Sequence, residues 1–299
     1  MQKPNRILLH VNRERKKEFR ISTSIAIDNQ TKIVLKYPDN DESITFLREI
    51  VKRDKLALEY FSDYANVITG IIKRDSISYP YLSKPTLENI IRDAIEKGDK
   101  NFGAFLIKTY IDFIEKLPST ESLPKGFIAA IGIDPHQIKK PLRCLNIAPI
   151  DCIPCNILVD KKKWVIIDNE WTFDFPMPTN FLIYRAIYSL IINLQEIIQI
   201  NISKERPAYL FCGYGKNRTY IPLSWLNLLK KREISIQRFY IWELLFKRKV
   251  FVKANLGRLR LKSRSKPVSK VISNSMHVIF ENIMRKMIKN KFGFSRNLK

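Results

Sequence analysis

Apolar and polar positions alternate early in this chain. Phe19-Arg-Ile-Ser-Thr-Ser-Ile-Ala-Ile27 has the two-residue period of a strand, Asp28 to Thr31 is a polar turn, and Lys32 to Tyr37 reads as the strand that answers it. The period then changes. Between Glu42 and Ala65 the apolar residues Ile44, Leu47, Ile50, Val51 and Leu58 recur at helical spacing. Two more strands are expected over 67–72 and 76–82, around a turn at Lys73-Arg-Asp75. Residues 83–85 then lead to a helix opened by Pro85-Thr86-Leu87-Glu88, with proline at its start, and closed by Gly98. A second helix runs from Phe102 to Leu117, carrying Phe105, Leu106, Tyr110 and Ile114 and stopped by Pro118. Residues 118–146, punctuated by proline and glycine, are expected to be irregular.

The next stretch concentrates the chemistry. Ile157-Leu-Val159 is a short apolar strand, Asp160 to Lys163 a turn, and Trp164-Val-Ile-Ile167 a second strand that delivers Asp168. Antiparallel strands joined by a tight turn bring their outer ends together. Asn156, entering the first strand, and Asp168, leaving the second, are therefore expected side by side, with Asp151 in the loop before them. Amide and carboxylate oxygens converging at one end of a hairpin suit a hard divalent cation. Beyond it, Thr179 to Ile202 reads as a long apolar helix, and 217–252 as a helical pair rich in aromatics, among them Trp225, Phe239, Tyr240, Trp242 and Phe246.

Asp151, five residues before Asn156 and followed by Asp168-Asn169-Glu170, resembles the catalytic core of the protein-kinase-like fold, whose loop reads H-R-D-x-x-x-x-N. Pro154 matches a proline common in that loop, and Asp168-Asn-Glu170 is similar to the D-x-E of aminoglycoside, choline and lipopolysaccharide kinases. The run Glu170 to Ala186 resembles the kinase domain of bacterial O-antigen methyltransferase–kinase proteins. One departure is Pro149, where the family has histidine. The resemblance implies a two-lobed α+β fold, with a small antiparallel-sheet N-lobe over 1–84, a mainly helical C-lobe over 85–252 and a basic tail over 253–299.

It also implies roles. Asp151 would orient or deprotonate an acceptor hydroxyl. Asn156 and Asp168 would hold Mg2+, and Lys36 would steady the phosphates of ATP. A helix acid would pair with Lys36, Glu49 being the candidate and Glu59 the alternative. Tyr79 to Glu88 resembles the connection that holds adenine, which places Tyr81 and Leu82 at the nucleotide. Glu170 would support the residues that hold the metal or polarise the site. The implied activity is Mg-ATP-dependent phosphotransfer to a sugar hydroxyl, on a sugar or lipid-linked glycan of surface polysaccharide or lipopolysaccharide. The alternative is a catalytically weak pseudokinase that binds nucleotide or scaffolds. Pro149 and the absence of any glycine before Gly70, hence of a G-x-G-x-x-G loop, favour that alternative.

Charge adds a direction. The 299 residues carry 53 Lys and Arg against 29 Asp and Glu, net +24, which draws the chain towards phosphates or anionic lipid. No zinc finger, helix-turn-helix or Gly-aromatic RNA motif accompanies it, so nucleic acid is not the expected partner. Residues 253–299 hold 13 Lys and Arg against the single acid Glu281. Ile279, Ile283, Met287 and Ile288 line one helical face there, which suits an anionic membrane surface. No secretory signal or transmembrane run is read. The expected location is the cytoplasm, peripheral to the inner membrane face. Cys152 and Cys155 have no second pair to complete a zinc site and are expected to be reduced thiols, as are Cys144 and Cys212.

Overall fold

A computed structural model describes residues 6–11, 13–28, 30–160, 163–202, 208–210 and 219–251. The basic tail and Cys212 lie outside the described residues.

The first part of the chain is a twisted sheet with one helix. Its elements are β1 Arg6–Val11, β2 Ile21–Asp28, β3 Thr31–Pro38, α1 Ile44–Phe61, β4 Asn66–Val67, β5 Ile71–Lys73 and β6 Ser76–Pro80. β1, β2, β3, β6 and β5 hydrogen-bond in that order, every pair antiparallel. β1 is a strand that the sequence pattern leaves unassigned, since Ile7 to Val11 is short and is set among basic residues. α1 buries Phe46, Leu47, Ile50, Ala57 and Phe61 against this sheet. Gly70 is required by close approach: a Cβ there would stand 2.1 Å from Ile77 Cγ2 and 2.6 Å from the Tyr79 ring.

The remainder is mainly helical. It comprises α2 Leu87–Glu96, α3 Lys100–Lys116, β7 Ser119–Ser122, α4 Lys125–Ile131, β8 Leu142–Leu145, β9 Ala148–Pro149, β10 Ile157–Asp160, β11 Lys163–Ile166, β12 Thr172–Phe173, β13 Met177–Pro178, α5 Thr179–Ile202, β14 Ala208–Leu210, β15 Thr219–Ile221, α6 Leu223–Lys230 and α7 Ile236–Val250. Thr86 caps α2, accepting a bond from the Asn89 backbone N–H, and Pro85 stands just before the cap. Residues 118–146 are more regular than expected, because β7 and β8 pair over four residues and β13 extends that sheet.

α5 is the spine of this half. By length and composition Thr179–Ile198 could cross a membrane, with a mean hydropathy of 1.4. Here Phe181, Leu182, Ile183, Ile187, Leu190 and Ile191 are buried in the protein core instead. Each such side chain contributes about 1.5–3 kcal/mol by leaving water, which makes this helix the main hydrophobic anchor of the lobe. Phe181 and Phe239 pack edge-on, and Phe127 and Trp242 close the same cluster.

Beside the isolated bridge of Arg15 with Phe251, one small strand pairing crosses between the halves. β4 runs parallel to β11, with Val67 opposite Ile166, and the Ile68 N–H donates to the Ile166 carbonyl at 3.0 Å.

Candidate active site

The hairpin forms in the expected register: Ile157 faces Ile166, Leu158 faces Val165 and Val159 faces Trp164. The Ile167 N–H donates to the Asn156 carbonyl at 3.0 Å, so Asn156 and Asp168 leave the hairpin as neighbours. Asp168 takes φ 61°, a left-handed conformation costly for a residue with a Cβ. That turn lets β11 end and the next residues change direction, so that Asn169 and Glu170 go inward. Both are buried at 4% exposure.

Lys36, on β3, is buried and donates from Nζ to Asp168 Oδ1 and to Glu170 Oε1, the latter at 2.6 Å. Burial works against its charge, but the two carboxylates outweigh that cost and push the ammonium above its ordinary value. The expected partner, Glu49, is elsewhere: it pairs with Lys52 one turn along α1, in water. What α1 turns towards the site is Arg53, whose guanidinium donates to the Glu170 backbone carbonyl and lies 4.8 Å from the Phe173 ring centre. Glu170 already neutralises Lys36, so a second acid from α1 would meet repulsion there, whereas a cation is welcome. The buried acid of α1 is Asp54, accepting from the Gly70 N–H and the Tyr79 hydroxyl, each at 2.9 Å. Burial pushes its pKa up against those bonds.

Glu170 is the hub. Arg15 donates to its Oε2 at 2.7 Å while Lys36 holds Oε1. Burial raises its pKa, yet the two cations prevail and hold it down at about 2.

Asp151 lies in the loop between β9 and β10, with a side chain 13% exposed. Burial pushes its pKa up to about 7, with Asp168 and Glu170 adding to the rise and Arg185 and Arg15 opposing it. The loop around it is well held. The Ile150 N–H donates to the Trp171 carbonyl at 3.0 Å, Asn156 Nδ2 to the Asp151 carbonyl at 3.0 Å, and the Tyr110 hydroxyl to the Cys152 carbonyl at 2.8 Å. Arg185, on α5, adds a bond from Nε to the Ile150 carbonyl at 3.0 Å and reaches Asp151 at 3.5 Å. Its other side grips the buried Glu243 of α7. Pro149 sits in β9 paired with Thr172 of β12.

Asn156 spends its NH2 on the Asp151 carbonyl, and its Oδ1 accepts a weak bond from Cys155 Sγ at 3.6 Å, which leaves one lone pair of that oxygen for a cation. Asp168 is 41% exposed and offers its second oxygen. One amide and one carboxylate fit Mg2+, which keeps most of its shell as water and phosphate oxygen. Among the described residues no group of three or more His, Cys, Asp or Glu forms a complete cage. Tyr81 and Leu82 lie in the connection from β6 to α2. The Tyr81 N–H is directed back to the Lys32 carbonyl at 3.3 Å. Cys144, Cys152 and Cys155 are free thiols.

Arg15, Arg53, Asp54 and Glu243 are the site-building residues that sequence reasoning missed; Arg185, in the run Glu170 to Ala186, reads from sequence as core of the helical lobe and stands at the Asp151 loop instead. Asp54 alone had a signal, since it continues the 47, 50, 54, 57 and 61 stripe of α1. Strand order, the connection between the halves and the Lys36–Asp168 meeting make this a two-lobed, protein-kinase-like α+β fold.

No protein-family model matches the chain, and no curated protein sequence matches it significantly. Solved structures align over most of its length. A thermostable mutant of aminoglycoside phosphotransferase APH(4)-Ia is 8% identical, covering 81% of this chain and 87% of that one, with a TM-score of 0.45. The choline kinase LicA from Streptococcus pneumoniae is 13% identical over 81% and 86%, with a TM-score of 0.32. The macrolide 2'-phosphotransferase MphH from Brachybacterium faecium is 10% identical over 79% and 90%, also with a TM-score of 0.32.

Proposed function

We propose that this chain is a Mg-ATP-dependent phosphotransferase acting on a sugar hydroxyl. The observation that carries the reading is the meeting of Lys36 with Asp168 beside Asn156, with Asp151 one loop away. Phosphoryl transfer asks a protein mainly for positioning and charge neutralisation. Lys36 would hold the phosphates, and Glu170 would keep Lys36 charged and aimed. Asn156 and Asp168 would hold Mg2+, which when bound neutralises charge on the phosphate oxygens. Asp151, with a pKa near 7, is poised to take the acceptor's proton. The acceptor oxygen bonds to the γ-phosphorus, the bond to the β–γ bridging oxygen breaks, and ADP leaves.

The sugar acceptor, a glycan carried on lipid in surface-polysaccharide assembly, rests on the resemblance of the Glu170 to Ala186 run. The net charge and the basic composition of 253–299 support work at the anionic, cytoplasmic face of a membrane. The competing reading, a nucleotide-binding pseudokinase, draws on Pro149 and the glycine-free connection between β1 and β2. Transfer of labelled phosphate from ATP to lipid-linked glycans, with Asp151→Asn as control, separates the two. Transfer that persists in the variant would refute the role of Asp151, and tight Mg-ATP binding without transfer would favour the pseudokinase.

A further inference from the structure

β1 and β2 are adjacent antiparallel strands at the edge of the sheet, and β3 beside them carries Lys36. The described part of their connection, Arg13 to Arg20, contains no glycine. Glycines in such a connection would let backbone N–H groups approach phosphates. Here the connection turns inward and is bolted to the other half of the protein. The Lys16 N–H donates to the Val250 carbonyl at 2.9 Å, and Arg15 bridges Phe251. The Arg15 carbonyl accepts from Arg20 Nε at 2.8 Å, which fixes the local turn.

This bolt sets the Arg15 side chain down among the site's carboxylates. Its Nη1 holds Glu170, its guanidinium lies 5.7 Å from the Trp171 ring centre, and Asp151 and Asp168 are close enough to act on its charge. One feature exceeds what an internal staple needs. Arg15 Nε is buried without a hydrogen-bond partner among the described residues, an arrangement that costs stability. A guanidinium offers five donors in a fixed fork that suits phosphate oxygens.

We propose that Arg15 is a catalytic residue that contacts the transferring phosphoryl group, its side chain serving where the connection has no glycines to present backbone. The inference rests on the phosphotransferase reading and deepens it. Charge develops on the phosphoryl oxygens as the bridging bond breaks, and an arginine aimed there stabilises that state more than bound ATP.

The test uses the full chain and Arg15→Gln, with Lys17→Gln on the same connection as control; Lys17 is exposed and pairs only loosely with Glu42, at 3.7 Å. Binding of Mg-ADP is measured with and without fluoroaluminate, a mimic of the phosphoryl group in flight, alongside kcat. We expect Arg15→Gln to lower kcat by about 100- to 1000-fold and to lose the tightening by fluoroaluminate. Its Mg-ADP affinity should stay within about threefold of the parent, because the nucleoside diphosphate does not reach Arg15. A variant with parental kcat and parental tightening overturns the proposal. So does one that loses Mg-ADP and fluoroaluminate binding alike, which makes Arg15 a pin for Glu170 and Lys36. If Arg15→Gln fails to fold, Arg15→Lys decides, since it keeps the charge and loses the fork; parental tightening there also overturns the proposal. A parent that binds no Mg-ADP takes down the phosphotransferase reading itself, and this inference with it.

Discussion

Replacing Arg185 by methionine should destabilise the fold severely, and the structure allows the cost to be estimated. Glu243 is 2% exposed and depends on Arg185, whose side chain is 13% exposed. Burial alone would raise the pKa of Glu243, but Arg185 and Lys247 hold it down. Removing one partner of a buried ion pair typically costs about 3–5 kcal/mol, since the other charge is left stranded. Lys247 remains at 3.5 Å, which argues for the lower end. The Ile150 carbonyl also loses its donor, worth about 1 kcal/mol more. The expected loss is about 3–4 kcal/mol, a large part of the 5–15 kcal/mol that holds a typical domain. Urea unfolding of the parent, Arg185→Met, Glu243→Gln and the double variant measures it. The double variant should recover more than about 2 kcal/mol of the loss, because neither charge is then stranded. A single variant within about 1 kcal/mol of the parent, or a double as unstable as the single, would refute the reasoning.

Three other outcomes are expected. Asp168→Ala should abolish transfer and weaken Mg-ATP binding, whereas Asp151→Ala should abolish transfer and spare nucleotide affinity; equal loss of binding in calorimetry would contradict this division. The rate of transfer should fall as pH drops through about 7, where Asp151 takes up its proton. Because that pKa is raised by folding, stability is greatest below the unfolded value and declines as pH rises towards 7. Asp151→Asn should therefore raise the melting temperature at pH 8 and leave it nearly unchanged at pH 4, and the opposite pattern would count against a buried carboxylate. Glu170→Gln should weaken Mg-ATP by about 10- to 100-fold through the loss of a charged bond to Lys36, and Glu49→Ala should change it less than twofold; a reversed order in the same titration would restore Glu49 as the partner of Lys36.

Asp151, Asn156 and Asp168 fall within eighteen residues, and the apolar pattern between them allows one register, so the sequence exposes their meeting. Lys36 came from the resemblance and not from the pattern, because Lys32 on the same strand is equally polar. Glu49 shows where such reasoning stops. A helix pattern gives the buried stripe, but which flank faces a distant carboxylate depends on packing 121 residues away at Glu170, and Arg53 took that flank. Arg15 lies in the connection between β1 and β2 and Glu243 on α7, each a single charge in an unremarkable context, and no local period marks them. β7, α4 and β8 escaped because strands of four residues and a helix of seven are too short to show a period above the noise of proline and glycine.

The parallel pairing of β4 with β11 has a consequence for how the chain folds. Val67 and Ile166 are 99 positions apart, and the bond from Ile68 to Ile166 closes the same long loop. Contacts of that separation carry a loop-closure penalty before they return any stabilisation, so they form late. Until they form, the segment after α1 has no strand to rest on, and β11, which leads to Asp168, has an open edge. The two lobes are thus a division of shape and not of cooperativity. Synthesis must have passed Ile166 before β4 can gain its partner strand. A fragment of the first 84 residues should emerge sticky and incompletely folded, and the slow kinetic phase of refolding should report the arrival of β11.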